Sequence, residues 1–141
     1  KKRVRIEYEL EEHLPVATAD WAQLRQLVLN LALNAGEACQ ERNGALRIST
    51  GSHSYEAADL AVPAFRGAKR AGRHVFVEVH DDGVGMDEAT LARLGEPFFT
   101  TRVAGRGLGL AAVLSILRTH GGWLELDSSP GRGTRIRACI P

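Results

Sequence analysis

From Arg3 to Leu10 apolar and polar residues alternate: Val4, Ile6, Tyr8 and Leu10 fall on one side, Arg5, Glu7 and Glu9 on the other. A period of two is that of a half-buried strand. After an extended piece at Leu14-Pro15-Val16, Asp20 can cap a long helix that runs to about Gln40 and ends at Asn43-Gly44. Ala45 to Thr50 reads as a second strand. Gly51 to Gly72 turns to Gly, Ala, Ser and scattered charge, which predicts a surface excursion with a short helix near Ala57 to Leu60. Alternation returns at His74 to His80, where Val75, Val77 and Val79 oppose Phe76 and Glu78. This strand runs straight into Asp81-Asp82-Gly83-Val84-Gly85. A short helix is expected over Glu88 to Leu94, then an irregular stretch through Gly105 and a second long helix from Gly107 to His120. Trp123 to Asp127 and Gly133 to Ile140 close the chain as a hairpin around Ser129-Pro130-Gly131. Clustered strands with helices of mixed placement favour a two-layer α/β sandwich over alternating βαβ units.

Composition narrows this little. The chain has 141 residues, enough for one domain with a proper core. Lys and Arg number 18 against 17 Asp and Glu, so charge points neither to nucleic acid nor to an anionic membrane as partner. The basic runs Lys1-Lys2-Arg3 and Arg66 to Arg73 read as solvated surface. No apolar stretch approaches the roughly 20 residues of a membrane span, and the N-terminus does not read as a signal peptide. Cys39 and Cys139 lack metal-ligand spacing and are expected to be reduced packing residues in a cytoplasmic compartment. A chain that opens on Lys and goes directly into a strand pattern is expected to be a piece of something longer.

The first long helix carries more than packing. Projected at about 100° per residue, Leu24, Leu27, Val28, Leu31, Ala35 and Ala38 share a core arc. Beside it Gln23, Gln26, Asn30, Asn34, Glu37 and Glu41 share a polar one. Such an arc is ordinarily the wet side, and Gln23, Gln26 and Glu41 are read that way. Asn is a poor interior helix residue because its side chain competes for backbone hydrogen bonds, so Asn30 and Asn34 one turn apart call for a reason. Their neutral amide oxygens can ligate Mg²⁺, with phosphates and water completing the octahedron.

Two glycine motifs add to this. In Asp81-Asp82-Gly83-Val84-Gly85 the glycines let backbone approach a flat ligand, although such a strand-end segment also reads as a plain turn. Gly105-Arg106-Gly107-Leu108-Gly109-Leu110 opens a helix, whose free N–H groups and dipole suit phosphate. No βαβ frame surrounds it and no G-x-x-x-x-G-K-[S/T] occurs, which removes the Rossmann and P-loop readings.

The ordered set resembles the catalytic domain of sensor histidine kinases. Asn30 with Leu31-Ala32-Leu33-Asn34-Ala35 is similar to their N box, and Asp81 to Met86 to their first glycine box. Glu96 to Thr101 resembles the F box, Gly105 to Leu110 the second glycine box, and Gly131-Arg132-Gly133-Thr134 the closing strand signature. Glu37-Ala38, where many members have Lys, is similar to the nitrogen-regulation subgroup. The resemblance implies a Bergerat fold: a two-layer α/β sandwich whose mixed, mostly antiparallel sheet is packed on one face by helices. It also implies ATP and Mg²⁺ as ligands. Asp81 would accept from the adenine amino group with support from Thr134, directly or through water. Gly83, Gly85 and Met86 would shape the base pocket, and Asn30 and Asn34 would hold the metal and phosphates. Gly105, Gly107 and Gly109, with Leu108 and Leu110, would form the lid over the triphosphate. Phe98 and Phe99 would pack its base beside Thr101, or else belong to the core. Arg102 and Arg106 would be its cations, or plain surface arginines.

Gyrase-like relatives that hydrolyse ATP place a Glu base where this chain has Asn30, and an amide cannot take a proton. The resemblance therefore implies presentation of the γ-phosphate to an external histidine. None of the five histidines here sits in a pattern like H-E-x-x-x-P, and His120 before Gly121-Gly122 reads as a cation at a helix C-terminus. The expected partners are an upstream helical dimerisation and phosphoacceptor domain and, indirectly, a response regulator. Two alternatives share the boxes: a nucleotide-sensing regulatory module and an anti-sigma-type serine kinase.

Overall fold

The computed structural model describes residues 4–39, 44–94 and 109–141. Five strands form one sheet: β1 (Arg5–Glu9), β2 (Ala45–Tyr55), β3 (Gly72–Asp81), β4 (Trp123–Ser128) and β5 (Thr134–Ile140), in the order β1-β2-β3-β5-β4. β1 runs parallel to β2 and every other pairing is antiparallel. The helices are α1 (Trp21–Cys39), the short α2 (Glu88–Arg93) and α3 (Gly109–Thr119), with one turn of 3-10 helix at Asp59–Ala61. This is the mixed, mostly antiparallel sheet with a helical layer that the family resemblance implies.

α1 forms where its apolar spacing requires. Asp20 caps it, accepting the Gln23 N–H on Oδ1 at 3.0 Å, and Leu27, Leu31, Ala35 and Ala38 are buried at three- and four-residue spacing. On α3 Leu110, Val113, Ile116 and Leu117 are buried toward the same core, which Leu46, Ile48, Val75, Val79, Ile136 and Ala138 supply from the sheet. Asp87 caps α2 through the Thr90 N–H at 2.8 Å, and that bond holds its carboxyl below the usual range. Among the described residues no helix is long and apolar enough to cross a membrane.

Four expectations change. β2 continues five residues past Thr50 because its partner β3 does, with Tyr55 paired to Gly72, so the excursion begins only at Glu56. β1 is exposed along its whole length: it lies at the sheet edge, where Tyr8 is left 66% exposed. Arg66 is no solvated charge. Its backbone pairs with Leu124 on the outer edge of β4, and its guanidinium donates to the Phe65 and Leu94 carbonyls. The excursion thereby covers an edge that would otherwise be open to strand addition. A second buried cluster of Tyr55, Trp123 and Cys139 follows, in which Glu125 accepts from both Tyr55 and Trp123.

His120 is the fourth. Asp20 N–H donates to its Nε2 at 3.0 Å, which leaves Nδ1 as the donor to the Ile116 carbonyl at 2.8 Å. The imidazole is therefore a neutral latch tying the end of α3 to the start of α1, not a helix-end cation. His120→Ala should cost about 1 kcal/mol, the net worth of such a hydrogen bond, read as a lower urea midpoint at unchanged slope.

Candidate functional site

The two-residue period of β3 puts Val75, Val77, Val79 and then Asp81 on the side that meets the helices. Asp81 is thus carried inward at the strand end and is only 5% exposed, among the few buried charged side chains described. The β3–β5 register sets Thr134 directly opposite it, 6% exposed. Asp81 Oδ1 accepts the Gly83 N–H at 2.9 Å, so the turn folds back over the carboxylate and holds it in place. A Cβ on Gly83 would run into the Ala38 carbonyl of α1, and Gly85 stands at φ +71° against the Ser129 carbonyl. Close approach explains the first glycine and left-handed backbone the second.

Ser128, which sequence reasoning missed, completes this end. Its Oγ lies 2.8 Å from Thr134 Oγ1, donates to the Gly133 carbonyl at 3.0 Å, and accepts the Met86 N–H at 2.9 Å. Its position at the end of a predicted strand was visible; that it faces Thr134 follows only from the β4–β5 register, which pairs the two.

The hollow at Asp81 has a volume of about 60 Å³ and is lined in part by Leu31, Asn34, Gly85, Met86, Leu110 and Thr134. A larger one of about 600 Å³ lies between α1 and the β1–β2 side of the sheet, but its lining is nearly all apolar. The small hollow is the candidate site, because the buried carboxylate and hydroxyl converge there and fix orientation as a ligand site requires.

On the flank of this hollow α1 meets the start of α3. Asn30 Nδ2 donates to the Gly109 carbonyl at 3.3 Å, and a Cβ on Gly109 would stand 3.3 Å from Asn34 Oδ1. Both asparagines are half-buried, so the helix juncture removes them from the wet face. Leu110 is core that also walls the hollow. Gln23, expected to be wet, has a buried Oε1 without a partner, and Gln26 donates to Asn30. Amide oxygens one turn apart suit a hard cation that draws further oxygens from phosphate, and among the described residues no group of three or more His, Cys, Asp or Glu offers a rival metal site.

Asp82 is exposed beside Asp81, and its Oδ1 accepts the Ala45 N–H at 2.8 Å, which pins the start of β2. Cys39 and Cys139 are buried free thiols. Burial, reinforced by Asp81, pushes Cys39 up to about 11, and burial pushes Cys139 up to about 12, so both stay protonated and inert. Phe98, Phe99, Thr101, Arg102, Gly105, Arg106, Gly107 and Leu108 lie outside the described residues.

The family described as histidine kinase-, DNA gyrase B-, and HSP90-like ATPase matches residues 19–141, and the chain belongs to it. It is 37% identical over 141 residues to the sensory histidine kinase/phosphatase NtrB of Azospirillum brasilense, covering 99% of this chain and 34% of that protein. To the sensor kinase CckA of Brucella abortus it is 38% identical over 125 residues, covering 87% of this chain and 13% of that one. The chain thus spans about a third or less of the length of these relatives. Among solved structures, the catalytic domain of histidine kinase ThkA matches with a TM-score of 0.71 at 27% identity, over 98% of this chain and 78% of that one.

Proposed function

We propose that this chain binds Mg-ATP and presents its γ-phosphate to a histidine on a separate helical domain of a cytoplasmic signalling kinase, whose response regulator receives the phosphoryl group downstream. The observation that carries the reading is a buried carboxylate, Asp81, facing Thr134 under a glycine turn, with two asparagines on the adjoining helix. Asp81 accepts from the adenine amino group and Thr134 supports it, while Gly83, Gly85 and Met86 bound the base. Asn30 and Asn34 supply amide oxygens to Mg²⁺, which neutralises phosphate charge when bound. Gly109 begins the helix whose N-terminus faces the phosphates, and with Gly105 and Gly107 it would line the lid over the triphosphate.

Asn30 also sets what the site does not do. It occupies the place where hydrolysing relatives carry a carboxylate base, and an amide has no proton affinity to activate water. Bound ATP is then held for transfer, with orientation and charge neutralisation supplying most of the catalysis. The isolated chain should bind Mg-ATP and turn it over far more slowly than about 1 s⁻¹. A coupled ADP-release assay tests this; turnover at that rate or faster would mark a dedicated ATPase. Joining the chain to its phosphoacceptor helices and measuring histidine phosphorylation tests the transfer itself.

A further inference from the structure

Gln26 lies one turn before Asn30 on α1, exposed to solvent, and its Nε2 donates to Asn30 Oδ1 at 3.1 Å. The other end of the Asn30 amide is also engaged, Nδ2 donating to the Gly109 carbonyl at 3.3 Å. Gln26, Asn30 and the first residue of α3 therefore form a directed chain of hydrogen bonds. The Gly109 carbonyl can only accept, so it dictates which end of the Asn30 amide turns toward α3. Gln26 then fixes the plane of that amide from the opposite side. A flipped Asn30 would set its oxygen against the Gly109 oxygen and lose that bond.

We propose that Gln26 is a positioning residue for the metal and phosphate end of the site, acting through Asn30. The inference rests on the proposed role of Asn30. An amide oxygen has two lone pairs: the bond from Gln26 occupies one and leaves the second aimed and available to a cation. Partners that orient a metal ligand from behind typically contribute ten- to a hundred-fold in metal affinity. Gln26 is exposed and its bond competes with water, which puts the expected effect near the lower end. Packing offers no alternative account, since the side chain is not part of the core.

The test is Mg²⁺ titration of ADP binding to this chain by calorimetry, with Gln26→Met and Gln26→Glu beside the unaltered protein. Both replacements are good helix formers of similar length, so the melting temperature and metal-free ADP affinity should stay unchanged. Gln26→Met keeps the shape and removes the donor, and should weaken the Mg²⁺ dependence about ten-fold. Gln26→Glu turns the donor into an acceptor facing Asn30 Oδ1 and should weaken it too, although added negative charge by itself would strengthen Mg²⁺ binding. A Gln26→Met protein that binds Mg-ADP like the unaltered chain, while Asn34→Ala does not, would overturn this inference alone. So would tighter Mg²⁺ binding by Gln26→Glu. If the unaltered chain shows no Mg²⁺ dependence at all, the reading of the site falls and this inference with it.

Discussion

Asn34→Ala should remove most phosphotransfer, by on the order of a hundred-fold or more, while leaving the base pocket formed. Asn34 and Asp81 are carried by different elements, α1 and the end of β3, and meet only at the hollow they share. Truncating Asn34 takes away a proposed metal ligand and opens space beside Gly109, so the triphosphate loses its fixed position while the Asp81, Thr134 and Ser128 bonds are untouched. A misplacement of about 1 Å at the reacting phosphate suffices for a hundred-fold loss in rate. With the chain joined to the proposed phosphoacceptor helices, histidine phosphorylation and ADP affinity can be measured in one preparation. Transfer should collapse and Mg²⁺-dependent binding weaken, with metal-free ADP affinity changed much less. Transfer at a near-normal rate would reduce the asparagine pair to a helix surface.

Asp81→Asn should weaken ATP binding about ten- to a hundred-fold without unfolding the chain. The substitution keeps the shape, and the amide oxygen can still accept the Gly83 N–H that Asp81 accepts at 2.9 Å. The second carboxylate oxygen, however, becomes an NH₂ that would meet the adenine amino group of the proposed site donor to donor. Losing a charge-assisted hydrogen bond in a partly buried site costs roughly 1.5 to 3 kcal/mol, which sets that range. Calorimetric ATP titration reads the effect and thermal melting checks the fold; undiminished affinity would mean that adenine is recognised elsewhere. Asp82→Asn should act on the fold instead, because Asp82 accepts the Ala45 N–H at the start of β2.

Much of the fold was legible because its elements obey local periods. α1 shows a capped 3.6-residue pattern with Asp20 before it and Gly44 after it, and β3 shows strict alternation ending at Asp81. Asp81 continues the core-facing row of Val75, Val77 and Val79, since side-chain direction in a strand follows parity. The asparagine pair on α1 and the glycine turn after β3 also stood out in the sequence, because interior helix asparagines and closely spaced glycines each call for a local reason; residues 105–108 of the second glycine motif lie outside the described residues.

What the chain alone left open depends on contacts between residues far apart in sequence. Alternation in β1 predicted a half-buried strand, yet whether helices reach a strand depends on its place in the sheet, and β1 stands at an edge. The excursion after β2 looked like loose surface; its Arg66 pairs with Leu124, 58 positions on, to close the opposite edge. His120 resembled a helix-end cation until Asp20, 100 residues earlier, made it an acceptor. Ser128 and Gln26 showed no signal of their own, because a serine at a strand end and a glutamine on a polar helix face are commonplace. Their roles arise only when register sets Ser128 beside Thr134 and when the packing of α3 on α1 brings the Gly109 carbonyl to Asn30. The sequence by itself thus determined the elements and the chemistry at their ends, which follow from local periodicity and residue type. The tertiary structure decided which of those ends meet, because hydrogen-bond partners are chosen by proximity in space and not by distance along the chain.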